Sequence, residues 1–305
     1  MKKISTYIPS LIAAVLLVFC FLGGSAAMIA DVYLTEDKTS AFAEKEKLGD
    51  KSMAAIEKYY KERAASTGIP ASVFVDNISS DYVNSVIEEY ISATYKALDN
   101  GGKFNPEVPV NSQLESAIDK FFNDYADEIG YEKDEKFIKK LDATKKNAYK
   151  TVGDCCDIFK VDSMNSHGLL KKLSRLYSKR YKLTAFVFGS MAILITLLFI
   201  IHRKYKREVL YWCGVPVLLA GIIGLIPSAY LISAEYYDSF TIKQPQVFRA
   251  YTRAMYKLTE SFAAVSTALI VTGVCLIVVY KFVTGRPEKS AVPDDPAEVQ
   301  EKETD

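Results

Sequence analysis

The sequence predicts an all-α membrane protein, with four transmembrane helices and a helical extracytoplasmic domain inserted between the first and second spans. Three observations predict it. First, the 305 residues are 50% hydrophobic, and the apolar ones are gathered into four charge-free runs at 4–30, 183–201, 209–234 and 261–280. These runs hold 27, 19, 26 and 20 residues, and roughly 20 residues rising ~1.5 Å each cross a hydrocarbon core. Second, about 150 residues of water-soluble composition separate the first two runs, the size of one domain. Third, that stretch carries apolar residues at helical spacing and no sustained apolar–polar alternation.

The first element, 1–30, begins with Lys2 and Lys3 and reads as a signal anchor. Ser25, Ala26 and Ala27 also offer small residues for cleavage of a signal peptide, although the apolar run is long for that role. The domain at 31–164 then divides into helices. One fits 80–97, where Val83, Val86, Ile87 and Tyr90 share a face. A second opens with Ser112 and Glu115 in the S-x-x-E pattern of a capping box. Leu114, Ile118, Phe121, Phe122, Tyr125 and Ile129 follow at helical spacing, and Gly130 stops the run. Less regular helical patterns cover 39–66 and 134–150.

Residues 165–182 form a basic amphipathic stem. Leu169, Leu170, Leu173, Leu176 and Tyr177 make an apolar seam beside Lys171, Arg175, Lys179 and Lys182. No Pro or Gly occurs between 169 and 188, so one helix is expected from about 165 to about 205, running into the second span at 183–201. The link at 202–208 holds Arg203, Lys204, Lys206 and Arg207. The third span, 209–234, contains Pro216 and Pro227, which favour a kink that serves packing. The segment 235–260 ends in a helical extension where Arg249, Arg253 and Lys257 recur every four residues before the fourth span at 261–280. The tail at 281–305 is rich in Pro, Glu and Asp and reads as a disordered cytoplasmic segment. Gly23 with Ala27, Ala220 with Gly224, and Ala264 with Ala268 are small pairs suited to close helix contact.

The short basic link sets the orientation. Positive residues in short loops stay on the cytoplasmic side, whereas long loops cross largely regardless of charge. The link and both termini are therefore expected inside, in the plasma membrane, with 31–182 outside. Residues 31–170 carry 26 acidic and 18 basic side chains, a net of −8, and 171–182 carry +6. An acidic domain thus stands on a cationic collar. Its cations either snorkel toward lipid headgroups or contact an anionic partner.

Composition excludes the usual catalytic signatures: no G-x-S-x-G, H-E-x-x-H, S-x-x-K, Walker loop or G-x-G-x-x-G is present. The two histidines, His167 and His202, fall on opposite sides of the expected membrane, which argues against a zinc centre or a Ser-His-Asp triad. No cofactor or metal is expected. The spans hold no internal Asp, Glu, Lys, Arg or His, against a coupled transporter. Cys155 and Cys156 form a doublet between Asp154 and Asp157. They read as buried thiols, as a redox pair closed in a strained ring, or as bonds to a second chain. Cys20, Cys213 and Cys275 act as small apolar residues within the spans.

The expected function is recognition, sensing or scaffolding through a partner, not enzyme catalysis. The alternative is a channel or transporter component with the outer domain as vestibule or lid, and a membrane-anchored enzyme comes third. Expected partners are membrane lipid and a second protein or a second copy of the chain, not nucleic acid. The candidate contacts for an anionic partner or headgroup are Lys171, Arg175, Lys179, Lys182, Arg249, Arg253 and Lys257.

Overall fold

A computed structural model describes residues 2–284, with side chains from Thr6 onward. Twelve α-helices and one 3-10 turn at Tyr236–Ser239 account for the architecture, with no strand among the described residues. Four helices are long and apolar enough to cross a membrane: α1 (Lys2–Tyr33), α10 (Arg180–Ile201), α11 (Glu208–Ser233) and α12 (Pro245–Thr284). Eight shorter helices lie between α1 and α10. They are α2 (Glu36–Lys45), α3 (Leu48–Thr67), α4 (Ser72–Val75), α5 (Ser80–Asp99), α6 (Ser112–Glu128), α7 (Glu135–Cys156), α8 (Val161–Ser166) and α9 (Leu169–Tyr177).

Local chemistry explains the helix starts. Ser79 Oγ accepts the Tyr82 N–H at 3.1 Å and caps α5. Asp134 Oδ1 accepts the Lys136 and Phe137 N–H groups at 3.0 and 2.9 Å and caps α7. The cap of α6 lies one residue before the expected one. Asn111 Oδ1 takes the Gln113 and Leu114 N–H groups at 3.0 and 3.1 Å. Glu115 does not close a capping box: the Asn111 N–H goes to the Tyr149 oxygen at 3.0 Å, and that hydroxyl donates to Glu115 Oε1 at 2.9 Å.

The short helices enclose one core. Leu48, Ile56, Val83, Val86, Leu114, Ile118 and Val152 are fully buried in it. Ala250 of α12 belongs to the same core at 0% exposure. The first turns of α12 are therefore a core helix of the polar unit, and the same helix continues into an apolar stretch long enough to cross a membrane. At 40 residues it is ~60 Å long. It runs to Thr284, so residues 281–284 are helical and the expected tail begins later. The rest of that tail, 285–305, lies outside the described residues.

The expected continuous stem is not observed. The chain breaks at Gly168, whose φ is +69°, and turns again at Ser178 and Lys179 before α10 starts. Docking causes the break. Leu170 is buried with Ala97 and Val161, and Ser174 donates to the Leu98 carbonyl at 2.7 Å. A Cβ on Gly102, at φ +86°, would fall 2.8 Å from Lys171 Cα, so the backbones of α9 and the turn after α5 touch. Helix α9 thus follows the surface of the polar unit, and α10 follows the apolar bundle. At the junction Arg180 lies 3.6 Å over the Tyr177 ring and 3.8 Å from Asp99.

Within the apolar bundle, α11 lies along α12 and α1 packs on α10 and α11. Small residues let α11 and α12 approach. A Cβ on Gly221 would meet Ser266 O at 2.7 Å, and one on Gly273 would meet Leu218 N at 2.6 Å. Of the expected small pairs, Ala220 and Gly224 lie in this contact. Gly23 has nothing near it, and Ala264 and Ala268 are exposed, because Ser266 and Ile270 turn the packing face elsewhere. Pro216 and Pro227 both lie inside the continuous α11.

Two polar links tie α1 to α10 and α11. Near one end, Thr184 donates to Asp31 Oδ2 at 2.9 Å. At the other, His202 caps α10 and turns inward to 4% exposure. Its Nε2 lies 2.8 Å from Ser10 Oγ, and its Nδ1 lies 2.8 Å from Glu208 Oε2. Trp212 stacks on the imidazole at 6.1 Å.

Candidate functional site

A cavity of about 600 Å³ opens where the apolar stretches of α1 and α12 end and the polar unit begins. Its walls come from α1, α2, α5, α8 and α12, together with Phe159, which precedes α8. Phe42, Ile91, Leu98, Phe159, Val161 and Met164 supply apolar surface. The volume lies within the roughly 300–1,000 Å³ of small-molecule sites.

Most hydroxyls in the wall are already engaged. Thr39 donates to the Thr35 carbonyl at 2.9 Å, so at its 2.7 Å contact with Tyr95 the tyrosine is the donor. Burial raises the Tyr95 hydroxyl above its ordinary range, against the Thr39 contact, and keeps it neutral. Thr94 donates to the Tyr90 carbonyl at 2.6 Å, and Tyr251 donates to the Phe159 carbonyl at 2.7 Å. The Tyr256 hydroxyl is buried near the Tyr237 backbone without a hydrogen bond of good geometry. The depth of the cavity therefore presents mainly hydrocarbon.

Charge sits around that apolar interior. Lys38, Lys45, Arg253 and Lys257 line it with Glu46 and Glu260. Glu46 Oε2 lies 2.9 Å from Arg249 and 3.7 Å from Arg253, which fixes the head of α12 to the end of α2. Lys257 lies 5.7 Å over the Tyr33 ring. Lys38, Lys45 and Lys257 have no carboxylate partner among the described residues, whereas Glu260 is the one lining carboxylate left unpaired there.

The two cation rows thus part company. Arg253 and Lys257 reach the cavity and Arg249 clamps it through Glu46. Lys171, Arg175, Lys179 and Lys182 are exposed, are divided between two helices by the turn at Lys179, and do not line the cavity. Lys38 and Lys45 were not singled out in the sequence, because nothing local distinguishes them from the other lysines between the first two apolar runs.

The cysteine doublet lies away from this site, at the end of α7. Cys156 is fully buried in the main core, with Sγ 3.9 Å from the Val83 carbonyl, and Cys155 is half-buried. Both are free thiols. Burial pushes Cys155 up to about 11 and Cys156 further still, so neither is readily ionised as a nucleophile. Asp157 is buried as well and accepts the Val161 and Asp162 N–H groups at 2.8 and 3.0 Å. Among the described residues no three His, Cys, Asp or Glu side chains gather as metal ligands.

The Ser10, His202 and Glu208 chain corrects the argument that the separation of two histidines excludes such a triad, since one imidazole suffices. Ser10 is nevertheless 0% exposed and lies 2.8 Å from the Thr6 carbonyl, so its oxygen is closed to substrate. The arrangement is a clasp between helices. No protein-family model, no curated protein and no solved structure matches the chain.

Proposed function

We propose that the chain is a plasma-membrane receptor or sensor. Its helical unit between α1 and α10 faces the extracytoplasmic side and takes a ligand into the cavity at the head of α12. One observation carries this reading: the cavity wall and a membrane-crossing segment are the same uninterrupted helix. Arg253 and Lys257 line the cavity, and farther along α12 Gly273 packs against the α11 backbone. A ligand that shifts the head of α12 acts on the bundle without an intervening loop. Output on the cytoplasmic side passes to a partner.

Sidedness rests on the basic link, where Arg203, Lys204, Lys206 and Arg207 separate α10 from α11 by few residues. Cysteine labelling in intact cells with an impermeant reagent tests it. Asn123→Cys on α6 is expected to react and Lys204→Cys to be shielded. The reverse pattern overturns the orientation and with it the reading. The ligand-dependent part is tested by crosslinking on intact cells. Filling the cavity with Ala254→Trp is expected to reduce partner recovery, and unchanged recovery overturns the assignment to this cavity.

A further inference from the structure

We infer that the cavity takes an anionic amphiphile drawn from the outer leaflet, its hydrocarbon tail inside and its charged head among Lys38, Lys45 and Lys257. The inference rests on the outward-facing reading above and goes on to name the ligand class.

Three observations lead to it. The interior is apolar, and the hydroxyls of Thr39, Thr94, Tyr95 and Tyr251 bond to protein atoms, so the inserted part of a ligand finds little to hydrogen-bond. A sugar, nucleotide or peptide would lose its water there without replacement, which is costly for each polar group. A hydrocarbon tail loses nothing. Second, the unpaired lining charge is three lysines against Glu260 alone, because Glu46 is engaged by Arg249 and Arg253. That excess attracts a negative head. Lysine ammonium groups suit carboxylate, sulfate or phosphate as point charges, and no planar guanidinium fork is required. Third, the position fits the source. Tyr33 ends the apolar α1 and Leu34 follows it, and Leu258 and Glu260 immediately precede the charge-free stretch of α12. The cavity is therefore level with leaflet headgroups, where an amphiphile moves in sideways with its tail still among hydrocarbon.

The test uses the full chain in neutral detergent and a dansyl-labelled fatty acid as probe. Oleate is expected to displace the probe, oleyl alcohol to do so about tenfold more weakly, and inorganic phosphate not at all at the same concentration. Ala254→Trp fills the cavity and is expected to weaken oleate about a hundredfold, since each methylene kept out of an apolar site costs about fourfold. If Ala254→Trp does not fold, Ala41→Trp fills the opposite wall. Changing Lys38, Lys45 and Lys257 together to Gln is expected to bring oleate down to the affinity of oleyl alcohol and leave the alcohol unchanged. Oleate binding that survives both cavity fillers shows partition into detergent and overturns the inference. Equal affinities for oleate and oleyl alcohol in the unaltered chain overturn the anionic head. Displacement by phosphate alone overturns the tail and points to a soluble anion. Binding in detergent does not depend on orientation, so the two readings fail separately. If the probe binds as expected but Asn123→Cys is shielded in cells, the ligand class stands and the outward-facing receptor falls. If Asn123→Cys reacts and the probe does not bind, the receptor stands and the ligand class falls.

Discussion

Two rows of cations, alike in the sequence, have different surroundings in the fold. Lys171, Arg175, Lys179 and Lys182 precede the second apolar run, and Arg249, Arg253 and Lys257 precede the fourth. Both recur about every four residues, and both lead into a charge-free stretch. The first row lies on exposed surface and changes helix at Lys179. The second lies on a helix whose other face is buried at Val247 and enters the main core through Ala250. That buried face fixes the helix, and the fixed helix turns its cations to a wall. Charge spacing is the same in both rows, so only the opposite face tells a solvated stripe from part of a site.

The strongest way to break this comparison is to undock the head of α12. Ala250 is 0% exposed against the polar unit. Ala250→Leu is expected to cost roughly 1–3 kcal/mol by overpacking, read as a lower thermal midpoint of the purified protein. An unchanged midpoint would mean that the head of α12 is not held by the core. A smaller effect should follow from Glu46→Gln, which removes the charge facing Arg249 and Arg253. The pair is only half-buried on the arginine side, so about 1 kcal/mol is expected. Arg249→Gln added to Glu46→Gln should cost less than the sum of the two single changes. Strict additivity would show that the contact carries no coupling. The smallest effect sharpens the contrast. Changing Lys171, Arg175, Lys179 and Lys182 together to Gln should move stability by no more than about 0.5 kcal/mol, since none of them has an ion-pair partner among the described residues. It should also leave probe binding at the cavity unchanged. A large loss in either measurement would put the stem row into the site.

Much of the fold was legible because its signals are local. Charge-free length marked the four helices long and apolar enough to cross a membrane, and the seam of Val83, Val86, Ile87 and Tyr90 marked the buried face of α5. Asn111 took the cap expected of Ser112, and contacts distant in sequence hold it there: its N–H bonds the Tyr149 oxygen and its side-chain amide the Asn77 carbonyl. The stem was read as one helix because its seam has no helix breaker. What divides it is the docking of Leu170 and Ser174 on α5, a contact spanning 76 residues in the case of Ser174 and Leu98. The cavity was illegible for the same reason. Five helices build it, and of the charges that line it only those of α12 belonged to a periodic row. Ser10 was hidden differently, as an unremarkable small residue within an apolar run. Its partner lies 192 residues away.

That pairing has a consequence that can be counted in hydrogens. Ser10 owns one, and two acceptors lie 2.8 Å from its oxygen: the Thr6 carbonyl and, when unprotonated, His202 Nε2. Nδ1 faces Glu208 Oε2 at the same distance. If Ser10 gives its hydrogen to Thr6, the hydrogen between Ser10 and the ring has to come from Nε2. If Nε2 carries none, Ser10 turns its hydrogen toward the ring, and Thr6 loses that bond. The tautomer of one imidazole therefore sets the direction in which a hydroxyl of α1 points. Helices α1, α10 and α11 meet at that ring, and none of them can rearrange its bond alone.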